Sequence, residues 1–137
     1  MSQFIGELIL EPFDDERTWK LQQKFQYQSD LLGCAITVPK GFVTDGASVP
    51  RIFWNLIPPF GLYGEAAVIH DYLYRWQRFT RRQSDDTFLE GMRVKGTPKL
   101  IYMVIWAAVR LFGASAWRRD ANQPLTAFDL APNMNIK

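Results

Sequence analysis

The chain has 137 residues, of which 47% are hydrophobic and 15% aromatic, and its formal net charge is +2. This composition predicts a single packed domain over residues 1–137 and argues against a disordered chain. The weak positive charge argues against a nucleic-acid-binding protein, so no nucleic-acid partner is expected. The one cysteine, Cys34, excludes an internal disulfide and a cysteine-based zinc site.

Residues 1–48 have the pattern of short β-strands. The segments ELILEPF, TWKLQQKFQY and CAITVP are apolar or alternate with period two, and Pro12 and Pro39 mark strand ends. In the second segment, the residues predicted to share one face are Trp19, Leu21, Phe25 and Tyr27. Together the segments predict a small N-terminal antiparallel sheet.

About three helices are predicted in residues 49–120. The first spans roughly residues 64–77, and the second spans roughly residues 84–94 with Ser84 as its N-cap. Thr97 and Pro98 have the pattern of an N-cap followed by a proline, which starts a third helix that ends near Gly113. Residues 121–137 are predicted to form an irregular tail. A sheet followed by helices is typical of an α+β fold.

The segment from Leu100 to Trp117 is the most apolar part of the sequence. Its length is close to that of a membrane span, but Arg110 interrupts it and Gly113 weakens its end. We therefore interpret it as a buried core helix and expect no transmembrane segment. A membrane-surface segment is the alternative.

His70 is the one histidine of the chain, and Asp71 follows it. Helical spacing places His70 on the apolar face with Ala66, Leu73 and Tyr74. A core histidine satisfied by one hydrogen bond would fit this position, and so would a catalytic base. Asp71 is turned by about 100° around the helix, so it should address a different group.

Asp85 is predicted to point inward on the second helix, because Phe88, Leu89 and Met92 follow it at helical spacing. A buried carboxylate needs a partner or a metal ion. We predict that it pairs with His70, because a carboxylate behind an imidazole fixes the tautomer and supports a general base. Asp86 is explained by the helix dipole alone.

The segment TDGAS, residues 44–48, combines a carboxylate with a glycine. Gly46 allows backbone conformations in which carbonyl groups turn toward an ion, and Asp45 supplies an oxygen beside that turn. With a second carboxylate and water, these are the hard oxygen ligands that calcium prefers. A simple β-turn is the alternative. Ser48 is a weaker candidate for a nucleophile, because the surrounding sequence is not a nucleophile elbow.

The segments VPKGFVTDGASVPRIFW, HDYLY and DDTFLEGM resemble those of a family found mostly in phages and prophages, which is labelled a domain of unknown function. The resemblance covers roughly Leu21 to Phe112 and implies a phage-encoded protein without an established activity. Phage structural proteins are then expected partners. Met1 to Leu10 lacks the pattern of a signal peptide, so the expected location is the host cytoplasm or the virion.

The central segment also resembles the small calcium-dependent phospholipases A of the A-2 type, in their bacterial and fungal form. Their ordered motifs correspond here to Asp45-Gly46-Ala47-Ser48, Pro59-Phe60-Gly61, His70-Asp71-Tyr72-Leu73-Tyr74 and Asp85-Asp86-Thr87-Phe88. The resemblance implies a disulfide between two cysteines of those enzymes, but this chain has alanines at the corresponding positions, Ala47 and Ala67. The β-rich first third is foreign to those enzymes.

This second resemblance implies a role for each matching residue. His70 would activate water, Asp85 would orient His70, and Tyr74 would support the buried pair. Asp45 and Asp71 would hold calcium, which polarises the ester carbonyl and stabilises the oxyanion. The implied substrate is an ester, with a phospholipid as its most specific form.

Two functional hypotheses follow. The first is a metal-dependent His/Asp ester hydrolase. The second is a non-enzymatic phage tail or virion accessory protein, or a protein that binds a host partner. A hydrolase requires His70, Asp71 and Asp45 around an open cleft. A structural pair would be sealed under side chains such as Trp54, Phe60 and Trp76.

Overall fold

The computed structural model describes residues 1–12, 18–44, 64–134 and 136. The strands in this part of the chain are β1 (Gln3–Ile5), β2 (Leu10–Pro12), β3 (Trp19–Leu21), β4 (Phe25–Ser29), β5 (Cys34–Val38) and β6 (Val43–Thr44). The helices are α1 (Gly64–Trp76), α2 (Arg81–Val94), α3 (Lys99–Ala121) and α4 (Ala127–Leu130), followed by a 3-10 turn over Ala131–Asn133. Antiparallel strands followed by helices confirm the predicted α+β fold.

The strands form two three-stranded antiparallel sheets, with the orders β1-β4-β5 and β2-β3-β6. The segment predicted as one strand, TWKLQQKFQY, therefore contributes β3 to one sheet and β4 to the other. Leu21, Phe25 and Tyr27 are fully buried in both cases. Period two thus predicted which side chains point inward, but it does not reveal a change of sheet between residues 21 and 25.

The start of α2 differs from the prediction. The helix begins at Arg81, and Thr80 caps it, because the Thr80 hydroxyl accepts a hydrogen bond from the Gln83 backbone N–H. The Gln83 side chain accepts in return from the Thr80 backbone N–H, which completes a capping box. Ser84 is not the N-cap: it is buried, and its hydroxyl donates to the Thr80 carbonyl oxygen.

Helix α3 is longer than predicted. It starts at Lys99, with Pro98 rather than Thr97 in the cap position, and it continues through Gly113 to Ala121. Gly113 does not stop the helix. Its missing side chain allows close packing, since a Cβ built there would lie 2.5 Å from the Tyr74 hydroxyl oxygen. Only part of α3 is buried. The prediction of a buried core helix is therefore wrong for the outer face of α3.

Two apolar clusters surround α1. One lies between α1 and the strands and includes Phe25, Ile36 and Tyr72. The other lies among α1, α2 and α3 and includes Ala66, Phe88 and Ile105. Helix α1 therefore occupies the centre of the described structure. Both residues of the predicted His70–Asp85 pair lie on the side of α1 that faces α2 and α3.

The segment after α3, predicted to be irregular, contains α4 and the 3-10 turn and is anchored to the sheet. The buried Asn133 side chain accepts a hydrogen bond from the Thr37 backbone N–H and donates to the Thr37 carbonyl oxygen. It also donates to the Tyr72 hydroxyl. One asparagine thus joins this segment to both β5 and α1.

Candidate functional site

His70 of α1 and Asp85 of α2 face each other in the helical cluster. His70 Nε2 lies 2.7 Å from Asp85 Oδ1. The two residues are 1% and 0% exposed. This contact confirms the predicted pairing, because the spacing on each helix turns both side chains into the same interior.

Asp85 also binds residues from all three long helices. The Tyr74 hydroxyl, one turn after His70 on α1, donates to Asp85 Oδ1 at 2.6 Å. Arg110 of α3 donates to Asp85 Oδ2 at 2.7 Å. Arg81 lies 3.7 Å from the same oxygen and donates to the backbone carbonyls of Val109 and Arg110. One carboxylate therefore ties α1, α2 and α3 together.

Arg110 and Arg81 were missed as site residues in the sequence. In the sequence, Arg110 interrupts an apolar segment. A lone arginine inside such a segment is itself a signal, because a buried cation requires an anionic partner. Asp85, which helical spacing turns inward, is that partner, but spacing along one helix does not reveal a contact between residues 25 positions apart on two helices.

The network keeps Asp85 ionised at neutral pH. Burial alone would raise the pKa of Asp85, but the hydrogen bonds from His70, Tyr74 and Arg110 outweigh it, so the pKa is lowered from its usual value of 3.8. Burial and the hydrogen bond to Asp85 raise the pKa of Tyr74. Tyr74 therefore stays protonated and serves as a donor.

The tautomer of His70 follows from these charges. An ionised carboxylate only accepts hydrogen bonds, so His70 Nε2 must carry the hydrogen that it shares with Asp85. In a neutral imidazole the lone pair is then on Nδ1. Among the described residues, Nδ1 has no hydrogen-bond partner although it is buried. A buried polar atom without a partner needs an explanation, and a bound water molecule or a catalytic role is one.

Aromatic rings fix the plane of the imidazole. The His70 ring centroid lies 4.2 Å from that of Tyr74 and 4.7 Å from that of Phe88. Trp76, which would cover the pair if its role were structural, packs against Tyr72 and Phe79 on the sheet side of α1 instead. The other two predicted cover residues, Trp54 and Phe60, lie outside the described residues.

Asp71 points away from the pair, as the helix geometry predicts. It lines a cavity of about 340 Å³ together with Thr44, Arg75, Arg119 and Asp120. Thr44 is the last residue of β6, and Asp45 is the next residue in the sequence. Asp45, Gly46 and Ser48 lie outside the described residues, so their predicted roles remain predictions.

The carboxylates of this cavity have the donor chemistry that calcium prefers, but calcium takes six to eight oxygen ligands. Within the described ranges, no group of three His, Cys, Asp or Glu side chains could hold a metal ion. A calcium site would therefore need the backbone and carboxylate oxygens of the TDGAS segment in addition to Asp71.

Comparison with known proteins supports the first resemblance. The family DUF1353, described as a protein of unknown function, matches residues 19–109. "Uncharacterized protein y4jT" of Sinorhizobium fredii is 35% identical over 102 residues, which cover 73% of this chain and 30% of that relative. The chain thus spans about a third of the relative's length. No solved structure matches. The matched range contains His70, Tyr74 and Asp85, and the chain belongs to the DUF1353 family.

Proposed function

We propose that the chain is a His/Asp hydrolase that cleaves an ester with water. The observation that supports this proposal is the state of His70. Its Nε2 is held by the ionised Asp85, while Nδ1, the basic nitrogen of this tautomer, has no partner among the described residues. A general base requires this combination of a fixed ring and a free basic nitrogen.

In the proposed reaction, a water molecule hydrogen-bonded to His70 Nδ1 attacks the ester carbonyl carbon and transfers its proton to Nδ1. Asp85 stabilises the resulting imidazolium. As the tetrahedral intermediate collapses and the ester C–O bond breaks, the same proton passes from Nδ1 to the leaving alkoxide. Tyr74 and Arg110 hold Asp85 in place through hydrogen bonds of 2.6 and 2.7 Å.

Calcium is part of this proposal. Asp71, Asp45 and a carbonyl group near Gly46 would hold the ion, which supplies Lewis-acid polarisation of the ester carbonyl. The resemblance to the phospholipases makes a phospholipid the first substrate to test. A water-soluble ester such as p-nitrophenyl butyrate tests the chemistry without a lipid surface.

The test compares wild type with His70→Gln in assays for p-nitrophenyl butyrate hydrolysis and for fatty acid release from phospholipid vesicles, with calcium or with a chelator. We expect His70→Gln to lose activity by about 10²–10⁴-fold, because glutamine cannot act as a base. Asp86→Asn, one residue beyond Asp85, is the control and should keep activity. Equal activity of wild type and His70→Gln would contradict the proposal.

A non-enzymatic role is the second candidate, and the burial of the pair favours it. His70 and Asp85 are 1% and 0% exposed, as expected of a pair that only holds two helices together. The protein would then act as a phage tail or virion accessory component, or bind a host partner, in the virion or the host cytoplasm. Phage carrying His70→Gln should remain infectious in this case, and wild type should hydrolyse neither substrate.

A further inference from the structure

Helix α3 has an apolar stripe on its outer face. Leu100, Met103, Val104 and Leu111 are exposed and lie within an arc of about 100°, given 3.6 residues per turn. Leu100 is 78% and Leu111 is 74% exposed, and Phe112 is exposed beside them. We call these five residues the outer α3 face. Exposed apolar side chains grouped on one helix face fit an interaction site.

The exposed charged side chains of α3 itself have one sign. Lys99 precedes the stripe, and Arg118 lies on the same line of the helix five turns after Leu100. The one acidic residue of α3, Asp120, is buried and lies 3.4 Å from Arg119. The exposed surface of α3 itself therefore combines apolar side chains with cations at both ends and carries no exposed carboxylate.

A second copy of the chain fits this surface poorly. If two α3 helices packed antiparallel, Lys99 of each would approach Arg118 of the other. If they packed parallel, each cation would approach its own equivalent. Like charges repel in both arrangements. An anionic lipid surface instead attracts the cations at both ends while its acyl region receives the apolar side chains.

We propose that the outer α3 face binds the surface of an anionic lipid bilayer. Within the described part of the chain, α3 is the one helix that is long and apolar enough to cross a membrane. Of its most apolar 18-residue segment, 28% is buried. Its inner face is occupied, however: Arg110 binds Asp85, and the carbonyl oxygens of Val109 and Arg110 accept from Arg81. Helix α3 therefore lies on the bilayer as part of the fold.

The variant that tests this proposal is Leu100→Glu/Leu111→Glu. Both positions are exposed, and glutamate is a good helix former, so the fold is expected to persist. The matched control is Phe128→Glu/Met134→Glu, which adds the same two charges at residues that are 67% and 74% exposed but lie outside α3. Far-UV circular dichroism and the melting temperature check that both variants remain folded.

Binding is measured by sedimentation with vesicles of equal parts phosphatidylglycerol and phosphatidylcholine, in the presence of a chelator so that lipid hydrolysis does not interfere. Wild type should sediment with these vesicles, less at high salt, and little with phosphatidylcholine alone. Leu100→Glu/Leu111→Glu should weaken binding at least about tenfold, because it removes two apolar side chains from the interface. The control variant should bind nearly as wild type does.

Three outcomes would overturn the proposal. In the first, wild type does not bind the anionic vesicles. In the second, the control variant loses as much binding as the α3 variant, which shows that added charge alone is responsible. In the third, sedimentation equilibrium finds a dimer that Leu100→Glu/Leu111→Glu dissociates, which shows that a second copy occupies the outer α3 face. The proposal does not depend on hydrolase activity, and inactive His70→Gln should bind the vesicles as wild type does.

Discussion

Helix α1 carries polar contacts on two sides, and the two sides differ in charge. Toward α2 and α3, His70 and Tyr74 bind the ionised Asp85. Toward the sheet, the Tyr72 hydroxyl donates to the Asp129 carbonyl oxygen and accepts from the Asn133 amide. We call these the charged network and the neutral network. Both satisfy buried polar groups, but the charged network also depends on cations and on pH.

This difference predicts where the structure is vulnerable and where chemistry can occur. Removing one partner of a buried ion leaves an uncompensated charge in the interior. Removing a neutral amide leaves unsatisfied neutral groups, whose desolvation costs less free energy. The charged network also contains a polar atom without a partner among the described residues, His70 Nδ1. Asn133 in the neutral network instead makes three hydrogen bonds.

The largest expected effect is that of Asp85→Ala. The substitution leaves Arg110 without its carboxylate and removes the acceptor of His70 and Tyr74, so the free energy of unfolding should fall by about 3–5 kcal/mol. Urea denaturation of the purified protein measures it. Asp86→Ala on the same helix is the control and should cost less than about 1 kcal/mol, because Asp86 is partly exposed. Similar losses for both variants would refute the central role of Asp85.

Asn133→Ala breaks the neutral network. It removes the partner of the Thr37 backbone N–H and C=O groups, and the free energy of unfolding should fall by about 2 kcal/mol. The same urea experiment compares this loss with that of Asp85→Ala. A larger loss for Asn133→Ala would reverse the ranking of the two networks.

Gly113→Ala strains the charged network without removing a charge. The new Cβ would lie 2.5 Å from the Tyr74 hydroxyl oxygen. Overpacking costs about 1–3 kcal/mol, but alanine favours the helix by up to about 1 kcal/mol, so a net loss of about 1 kcal/mol is expected. A Tyr74→Phe background removes the 2.5 Å contact and leaves Arg81 Nη1 and the ring Cζ at 3.3 and 3.4 Å, so Gly113→Ala should then cost less. Additive effects in this double-mutant cycle would show that the close contact is not the cause.

Acid denaturation distinguishes the two networks, because the Asp85 carboxylate takes up a proton in acid and the Asn133 amide does not. The pKa of Asp85 is lower in the folded protein than its usual value of 3.8. As the pH falls below that value, the unfolded chain binds a proton before the folded protein does. The stabilisation by Asp85 is therefore complete above this range and is lost as the pH falls toward the folded-state pKa. Asp85→Asn should flatten the stability profile in this window, whereas Asn133→Ala should shift it without changing its slope.

The sequence predicted the His70–Asp85 pairing because the two residues lie on two short helices that follow each other. Helical spacing was enough to turn both side chains inward. It could not assign Arg110 or Gly113 to the site, because their partners Asp85 and Tyr74 lie far away in the sequence. The low helix propensity of glycine predicted that Gly113 weakens the helix end, but its close packing against Tyr74 overrides that preference.

The fold was predicted at the level of class and side-chain direction. Alternation identified Leu21, Phe25 and Tyr27 as inward-facing, and each is fully buried. The division into two sheets could not be predicted, because strand pairing depends on contacts between distant segments. The Thr80 cap was missed for a local reason: Ser84 and the acids after it have an equally good pattern, and only the capping box with Gln83 distinguishes them.

The Asn133 contact also bears on the order in which the chain folds during synthesis. Within the described residues, β5 is an edge strand, and the Asn133 side chain takes the place of a neighbouring strand at Thr37. Asn133 follows Thr37 by 96 residues. While the ribosome adds those residues, the backbone groups of Thr37 remain open to pairing with another chain. Closing this edge is thus a late step, and the nascent chain is most prone to aggregate before it occurs.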